Sequence, residues 1–296
     1  MYYELFGYQK ISNRLSPKLW IALNDMTPRV SSERQAVYCH NATPFYKVSW
    51  SETKVEPKLL LFSLLYKYIY AFGMHRNYAV IVQQNWLRKI FIEKFHHKNI
   101  IVAYPLNSRT STNINAAIGV KRPIFIYPTF SRAFKNVEII CQAVSLLPAS
   151  LCRELQIRIT IDGTENRYSR DLLNRYGALE GLKFIGRQDA AEMAKQYEEC
   201  QVLIFPSKLE TWGLPISEAR ILGKSLLVAD LPYAYESVGT YEKIEFIPVD
   251  DAKAWAEAIE SIFLSTWKPP GNILRNPAPP FAPDWGHLWA ELVRGL

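Results

Sequence analysis

Residues 204–219 read IFPSKLETWGLPISEA, and the fold follows from what this stretch has to be. The apolar run Val202 to Phe205 leads into Pro206-Ser207, so a buried strand ends there. Pro215 suits the first turn of a helix that continues through Ile216, Ala219, Ile221 and Leu222. Glu210 then lies on the loop after a strand, and Glu218 lies about one turn inside the next helix. A helix start leaves its first N–H groups without internal partners, and here, between the two carboxylates, they point toward the same space. Such a place holds an anion on the helix N-terminus while the carboxylates accept hydrogen bonds from hydroxyls. A phosphate joined to sugars meets all of these demands.

Outward from this stretch, residues 121–264 alternate strand and helix. Apolar runs at 124–127, 157–161, 182–185, 202–205, 226–229 and 244–247 read as strands. Amphipathic segments at 137–147, 169–176, 190–199 and 252–263 read as helices. Short apolar strands separated by helices predict a parallel sheet covered on both faces, a Rossmann-like α/β domain. Ligands of such sheets bind beyond the C-terminal strand ends, where Gly163, Gly186, Ser207 and Asp230 fall.

The first 120 residues form a smaller β/α pattern, with strands at 36–39, 79–82 and 100–102 and helices near 59–72 and 86–95. No clear strand is expected before residue 36. Lys121-Arg122-Pro123 reads as a hinge, and the proline-rich stretch 268–283 as an extended connector to a terminal helix at 285–293. The expected organisation is an incomplete N-terminal domain (1–120), a ligand-binding C-terminal domain (121–275) and a terminal helix (276–296) that packs back on the first.

The chain of 296 residues carries a formal charge of +7, unevenly spread. Residues 1–120 hold 15 Lys/Arg against 6 Asp/Glu, and the remainder holds 20 against 22. The basic first part suits an anionic lipid surface or an acidic lipid-linked partner. With no nucleic-acid-binding motif, nucleic acid is not an expected partner. The four cysteines have no CxxC spacing and read as free, which fits a reducing cytoplasm. The aromatic-rich run 59–73 is too short to span a bilayer. A helix packed in the protein is favoured there over one lying on a membrane.

With these residues in place, the chain resembles the family 4 retaining glycosyltransferases of the GT-B architecture, in which two Rossmann-like domains face each other across a cleft. The resemblance is carried by the Glu210–Glu218 pair, by KFIGRQDAAEMAKQYEECQVLIFPS (183–207) and by SLLVADLPYAYESVG (225–239). It implies that Glu218 holds the nucleotide ribose and Glu210 the transferred sugar. Backbone amides of Trp212, Gly213 and Leu214 would meet the sugar and diphosphate, with Gly163 on a neighbouring ligand-facing loop. Lys135 matches the family's phosphate lysine. The family's arginine six residues earlier is replaced by Thr129, and Arg132 is the nearby substitute. VYCHNATPF (37–45) resembles a strand-end histidine segment, which makes His40 a sugar-side residue. VIVQQNWLRKIF (80–91) resembles the last strand and helix of such N-terminal domains.

The implied reaction moves a hexose-type unit from a nucleotide diphosphate sugar to an acceptor hydroxyl with retention, without metal or other cofactor. Lys135, Glu210 and His40 are its candidate catalytic residues. The implied setting is surface polysaccharide or O-antigen synthesis on a lipid-linked or glycan acceptor, in the cytoplasm or at the inner membrane face. The family opens with a glycine-rich loop, but here Gly7 is the only glycine before Gly73. A nucleotide-sugar-binding protein of weak activity and a GT-B-fold epimerase are the alternative readings.

Overall fold

The computed structural model of the protein describes residues 2–105 and 122–296. Lys121, the first residue of the expected hinge, lies outside them. The chain forms two compact units: Met1–Val48 with Lys58–Thr110 and Arg275–Leu296, and Ser49–Pro57 with Ser111–Leu274.

The first unit holds a parallel sheet in the order β1 (Leu19–Ala22), β2 (Arg34–Cys39), β3 (Ala79–Val82), β4 (Ile100–Ala103) and β11 (Phe281–Ala282). Helix α1 (Tyr8–Leu15) precedes it. Helices α3 (Pro57–Ala71) and α4 (Asn85–Phe95) carry the chain from β2 to β3 and from β3 to β4. Strand order follows chain order without reversal. The strand β1 corrects the expectation of none before residue 36. It pairs with β2 from Leu19↔Arg34 to Ala22↔Val37. Its four residues, Leu19 to Ala22, are a short apolar run that the sequence reading passed over, and three of them are only half-buried.

The stretch 268–283 is likewise more than a connector. Phe281–Ala282 adds to the sheet edge beside β4, with the Val102 and Tyr104 N–H groups donating to the carbonyls of Pro280 (3.2 Å) and Ala282 (3.0 Å). The Arg88 guanidinium of α4 donates to the Ala278 and Pro280 carbonyls, which fixes a segment whose prolines cannot donate. Helix α12 (Trp285–Val293) then buries Leu288 and Leu292 against Ala36, Tyr38, Ile81 and Ile101. Arg34 of β2 donates to the Leu292 and Arg294 carbonyls at the end of that helix.

A buried carboxylate ties the remaining parts of this unit together. Asp25, on the β1–β2 loop with φ +67°, accepts the His40 N–H at 2.7 Å and the Tyr66 hydroxyl at 3.0 Å. The Tyr70 hydroxyl lies 3.1 Å from Asp25 and donates at 2.7 Å to the Asn41 carbonyl. Both tyrosines belong to α3, so one acid joins that helix to the ends of β1 and β2.

The second unit holds six parallel strands in the order β10-β9-β8-β5-β6-β7. They are β5 (Ile124–Tyr127), β6 (Gln156–Ile159), β7 (Leu182–Phe184), β8 (Val202–Phe205), β9 (Ser225–Ala229) and β10 (Ile244–Ile247). The helices are α5 (Val137–Ser145), α6 (Ala149–Cys152), α7 (Arg167–Tyr176), α8 (Ala190–Glu199), α9 (Leu214–Ile221), α10 (Pro232–Val238) and α11 (Ala252–Phe263). Their starts are legible: Asn166, Asp189 and Asp251 each accept a backbone N–H as N-cap, and Glu192 completes a capping box on α8. The short α2 (Trp50–Val55), capped by Ser49 and Glu52, belongs to this unit although the sequence places it inside the first. Two ion pairs hold it there, Glu52 with Lys208 and Glu56 with Arg132.

The Asp25 knot has a pH signature. Burial first, and then the Asp25 charge, push the Tyr66 hydroxyl up to about 12. The folded state therefore prefers the protonated phenol, a contribution present below the unfolded value near 10 and lost as pH rises toward about 12. Urea midpoints at pH 8 and pH 11 should show wild type losing stability on going to the higher pH, with a smaller loss in Tyr66→Phe. An equal loss in both proteins would remove Tyr66 from this role.

Candidate functional site

Strand order in the second sheet reverses between β5 and β8, which lie side by side with Phe125 opposite Val202 and Ile126 opposite Leu203. Such a reversal sends the following connections apart and opens a crevice at the carboxyl ends of the two strands. The loop after β5 runs through Arg132 and Lys135, and the loop after β8 runs through Glu210 to Gly213. The structure joins them directly. Lys135 Nζ lies 2.5 Å from Glu210 Oε1, and both side chains are largely buried.

Lys135 is fixed from several sides. It ends a short 3-10 turn, Ala133–Lys135, and its carbonyl accepts the buried Tyr127 hydroxyl at 2.6 Å. Asn136 follows in the left-handed region at φ +57° and donates to the Val249 carbonyl at 2.8 Å. The Lys208 N–H donates to the Phe134 carbonyl at 2.8 Å, which ties the two loops together. The ammonium stands 4.5 Å from the Phe130 ring centre and 5.7 Å from that of Phe205. Thr129, at the position where the resembled family carries arginine, exchanges hydrogen bonds with Thr160 through its backbone. Arg132 does not turn toward Lys135 and Glu210: its guanidinium pairs with Glu56, whose other oxygen accepts the Ala133 N–H at 3.1 Å.

Gly213 enters α9 at φ +79°, a conformation that favours glycine, and a Cβ there would press on Ile216 Cδ1 at 3.1 Å. Trp212 points inward. Its indole N–H donates to Ser217 Oγ at 2.9 Å, and its backbone carbonyl accepts the Ser237 hydroxyl, so the residue joins α9 to α10. Leu214 is half exposed at the first position of α9, next to the open amides of that helix start. Glu218 is exposed on α9 and accepts the Tyr197 hydroxyl of α8 at 2.9 Å. Burial and then the Glu218 charge push the Tyr197 phenol well up, so it stays a donor.

Gly163 follows β6 at φ +89°, and its N–H donates to Glu165 at 3.0 Å within a tight DGTE turn. The loops after β5 and β6 are linked by Ser131 and Asn166, which exchange two hydrogen bonds of 2.8 Å. In the first unit, His40 is exposed beyond β2, its ring Nδ1 3.4 Å from Asp25. Gln84 is fully buried and accepts the Trp86 indole N–H at 2.6 Å, so it serves packing. The sequence reading missed Asp25, Glu56, Phe130 and Tyr197. Asp25, Glu56 and Tyr197 are defined by partners 15 to 77 residues away, and Phe130 by the ammonium of Lys135 five residues on.

The description "Glycosyl transferases group 1" matches residues 109–273, more than half of the chain. No curated protein sequence matches significantly. Among solved structures, a sucrose-phosphate synthase from Thermosynechococcus elongatus superposes with a TM-score of 0.57 at 19% identity, covering 79% of this chain and 59% of that one. The pneumococcal O-GlcNAc transferase GtfA, in complex with UDP and GlcNAc, gives 0.60 at 19% identity, covering 87% and 53%. HepE of Anabaena in complex with UDP-glucose gives 0.52 at 16% identity, covering 79% and 63%. The chain thus spans less than two thirds of each of these proteins. Their common fold is GT-B, two Rossmann-like domains, and the two parallel sheets described above are those domains. By fold and by family match, the chain belongs to the group 1 glycosyltransferases.

Proposed function

We propose that the protein transfers a hexose-type unit from a nucleotide diphosphate sugar to an acceptor hydroxyl with retention at the anomeric carbon. The observation that carries this reading is the buried Lys135–Glu210 pair at the strand reversal, beside the glycine that opens α9. A leaving diphosphate gains negative charge as the glycosidic bond breaks, and a preformed cation plus helix-start amides offset it. Lys135 and the amides around Gly213 and Leu214 fill that role without a metal ion. As the diphosphate takes Lys135, Glu210 is released to accept hydrogen bonds from the sugar hydroxyls. Glu218, held by Tyr197, accepts from the ribose hydroxyls. His40, oriented by Asp25, is the proposed sugar-side residue of the first unit. Arg132 reaches the diphosphate only by leaving Glu56.

The proposed acceptor is a lipid-linked or glycan hydroxyl in surface polysaccharide or O-antigen synthesis at the cytoplasmic face of a membrane. The structural relatives crystallised with UDP, GlcNAc or UDP-glucose support a nucleotide sugar as the donor class. The basic first part of the chain supports an anionic acceptor side.

Two measurements test this. Glu218→Ala should weaken donor binding by about tenfold in calorimetry, the loss of charge-assisted hydrogen bonds. Unchanged affinity would remove Glu218 from the ribose. Lys135→Met leaves Glu210 buried and unpaired, so unfolding in urea should show a loss of about 3 kcal/mol. Lys135→Met combined with Glu210→Leu should recover most of that stability and restore no transfer. A double variant that still transfers sugar at the wild-type rate would sink the mechanism.

A further inference from the structure

Helix α3 is apolar on the side that faces solvent. Leu61, Leu64, Leu65, Tyr68 and Phe72, spaced as one helical stripe, are each at least half exposed, whereas the buried side carries Ser63 and Tyr70 together with Leu59. Ser63 donates to the Tyr46 carbonyl at 3.0 Å and Tyr70 bonds Asp25 and Asn41, so two of the helix's hydroxyls turn inward while three of its leucines face out. A water-facing helix has the opposite arrangement. An apolar stripe of this kind marks a surface that is covered when the protein works.

Charge indicates what covers it. From Pro57 to Ile92 the chain contains no Asp or Glu, and it contains Lys58, Lys67, Arg76, Arg88 and Lys89. Lys58 and Lys67 are exposed on α3 itself, and Lys67 stands 5.2 Å from the Tyr68 ring. Where the helix ends, a pocket of about 640 Å³ opens between Phe6, Phe72, Arg29, His75 and Arg76. The Arg76 guanidinium folds over Gly73, where a Cβ would meet it at 1.9 Å, and Gly73 has φ +71°. Arg76 Nε is buried without a hydrogen-bond partner, and the guanidinium lies 5.7 Å from the Phe72 ring. Burial, and then the neighbouring Arg29 charge, lower the Arg76 pKa, with no carboxylate contributing. Arg29 and Arg76 line this one pocket, and although Arg76 also donates at 3.4 Å to the Thr27 carbonyl, its unused Nε beside a second cation suits a phosphate oxygen. The exposed rings of Tyr2, Tyr3 and Phe6 continue the apolar surface on the other side of the pocket. Aromatic and leucine side chains ringed by Lys and Arg match the boundary between headgroups and acyl chains.

We propose that the exposed stripe of α3 and the Arg29–Arg76 pocket dock the protein on an anionic bilayer, the stripe entering the acyl boundary and the pocket taking a lipid phosphate. The inference deepens the acceptor side of the function proposed above, and rests on that reading only for a lipid-borne acceptor. The bilayer contact itself needs no sugar chemistry.

Cosedimentation of the full chain with phosphatidylcholine vesicles, and with vesicles that also contain phosphatidylglycerol, tests it. Binding should require the anionic lipid and fall with added salt. Leu65→Glu, a change at an exposed position that costs the fold little, should weaken it at least about tenfold. Arg29→Gln, also exposed, should weaken it about fivefold. Soluble glycerol phosphate should compete poorly; full competition would make the pocket a site for a free phosphate ester and overturn bilayer docking. Equal binding to neutral and anionic vesicles would overturn the charge argument, and no binding would overturn the whole proposal. A concentration-dependent dimer in light scattering that Leu65→Glu dissolves, with no vesicle binding, would assign the stripe to a second copy instead. Donor affinity measured without vesicles reports separately on the function proposed above, so either reading can fail alone.

Discussion

The site depends on the side-by-side placement of β5 and β8 in a sheet whose strands all run the same way. In the three central strands β5, β8 and β9, burial leaves little choice of side chain, and the sequence answers with runs such as FIY and VLIF. Chemistry can therefore enter only where those strands end. Two adjacent strands whose connections diverge leave the roomiest opening, and the two loops there carry Lys135 and Glu210. Each loop turns through one residue in the left-handed region, Asn136 before α5 and Gly213 before α9. Those turns bring the helix starts close behind the pair. The strand order sets the place, and the two positive-φ residues set the aim of the groups in it.

A buried Lys–Glu pair is an unfavourable thing to build unless the surroundings repay desolvation. Around this one, repayment comes from Phe130 and Phe205, which face the ammonium, and from a loop held by the Tyr127 hydroxyl. Burial, reinforced by the Glu210 charge, pushes the Tyr127 and Tyr233 phenols well up, so both stay neutral donors. Tyr233 donates to the Ser207 carbonyl at 2.7 Å and so supports the loop that carries Glu210. Low polarity around a single pair makes the charge of each partner act at full strength on whatever replaces the other. The same low polarity makes removal of one partner costly. Stability and electrostatic function are here two readings of one arrangement.

Much of the second unit was legible because its signals are local. Helix α8 runs from Ala190 to Glu199 as read, since Asp189 and Glu192 form a capping box three residues apart. Strand β8 is a four-residue apolar run that proline ends. The first unit was harder because its parts are defined by distant partners. Strand β1 exists through its register with β2, and the two-residue β11 exists because Arg88 and the edge of β4 accept a proline-rich segment. Asp25 is an ordinary loop acid in the sequence, and only the fold gathers Tyr66, Tyr70 and His40 around it. The Glu210–Glu218 pattern pointed to the candidate site, whereas the partners of its members, Lys135 apart, could be assigned only in three dimensions.

For the function proposed above, those partners change how donor binding has to be understood. Lys135 is paired with Glu210 and Arg132 with Glu56, so neither cation stands open in front of the helix start. A diphosphate that binds there exchanges carboxylates for phosphate oxygens. The Coulomb gain is therefore the difference between two similar contacts rather than a full ion pair. On the proposed reading, net affinity would come from the amides at the start of α9 and from the Glu218 carboxylate rather than from the two cations. The exchange also releases Glu210 only once the phosphate has arrived. A sugar without its diphosphate meets a carboxylate already in use, so the pair favours the complete donor over the free sugar through the order in which its partners are replaced.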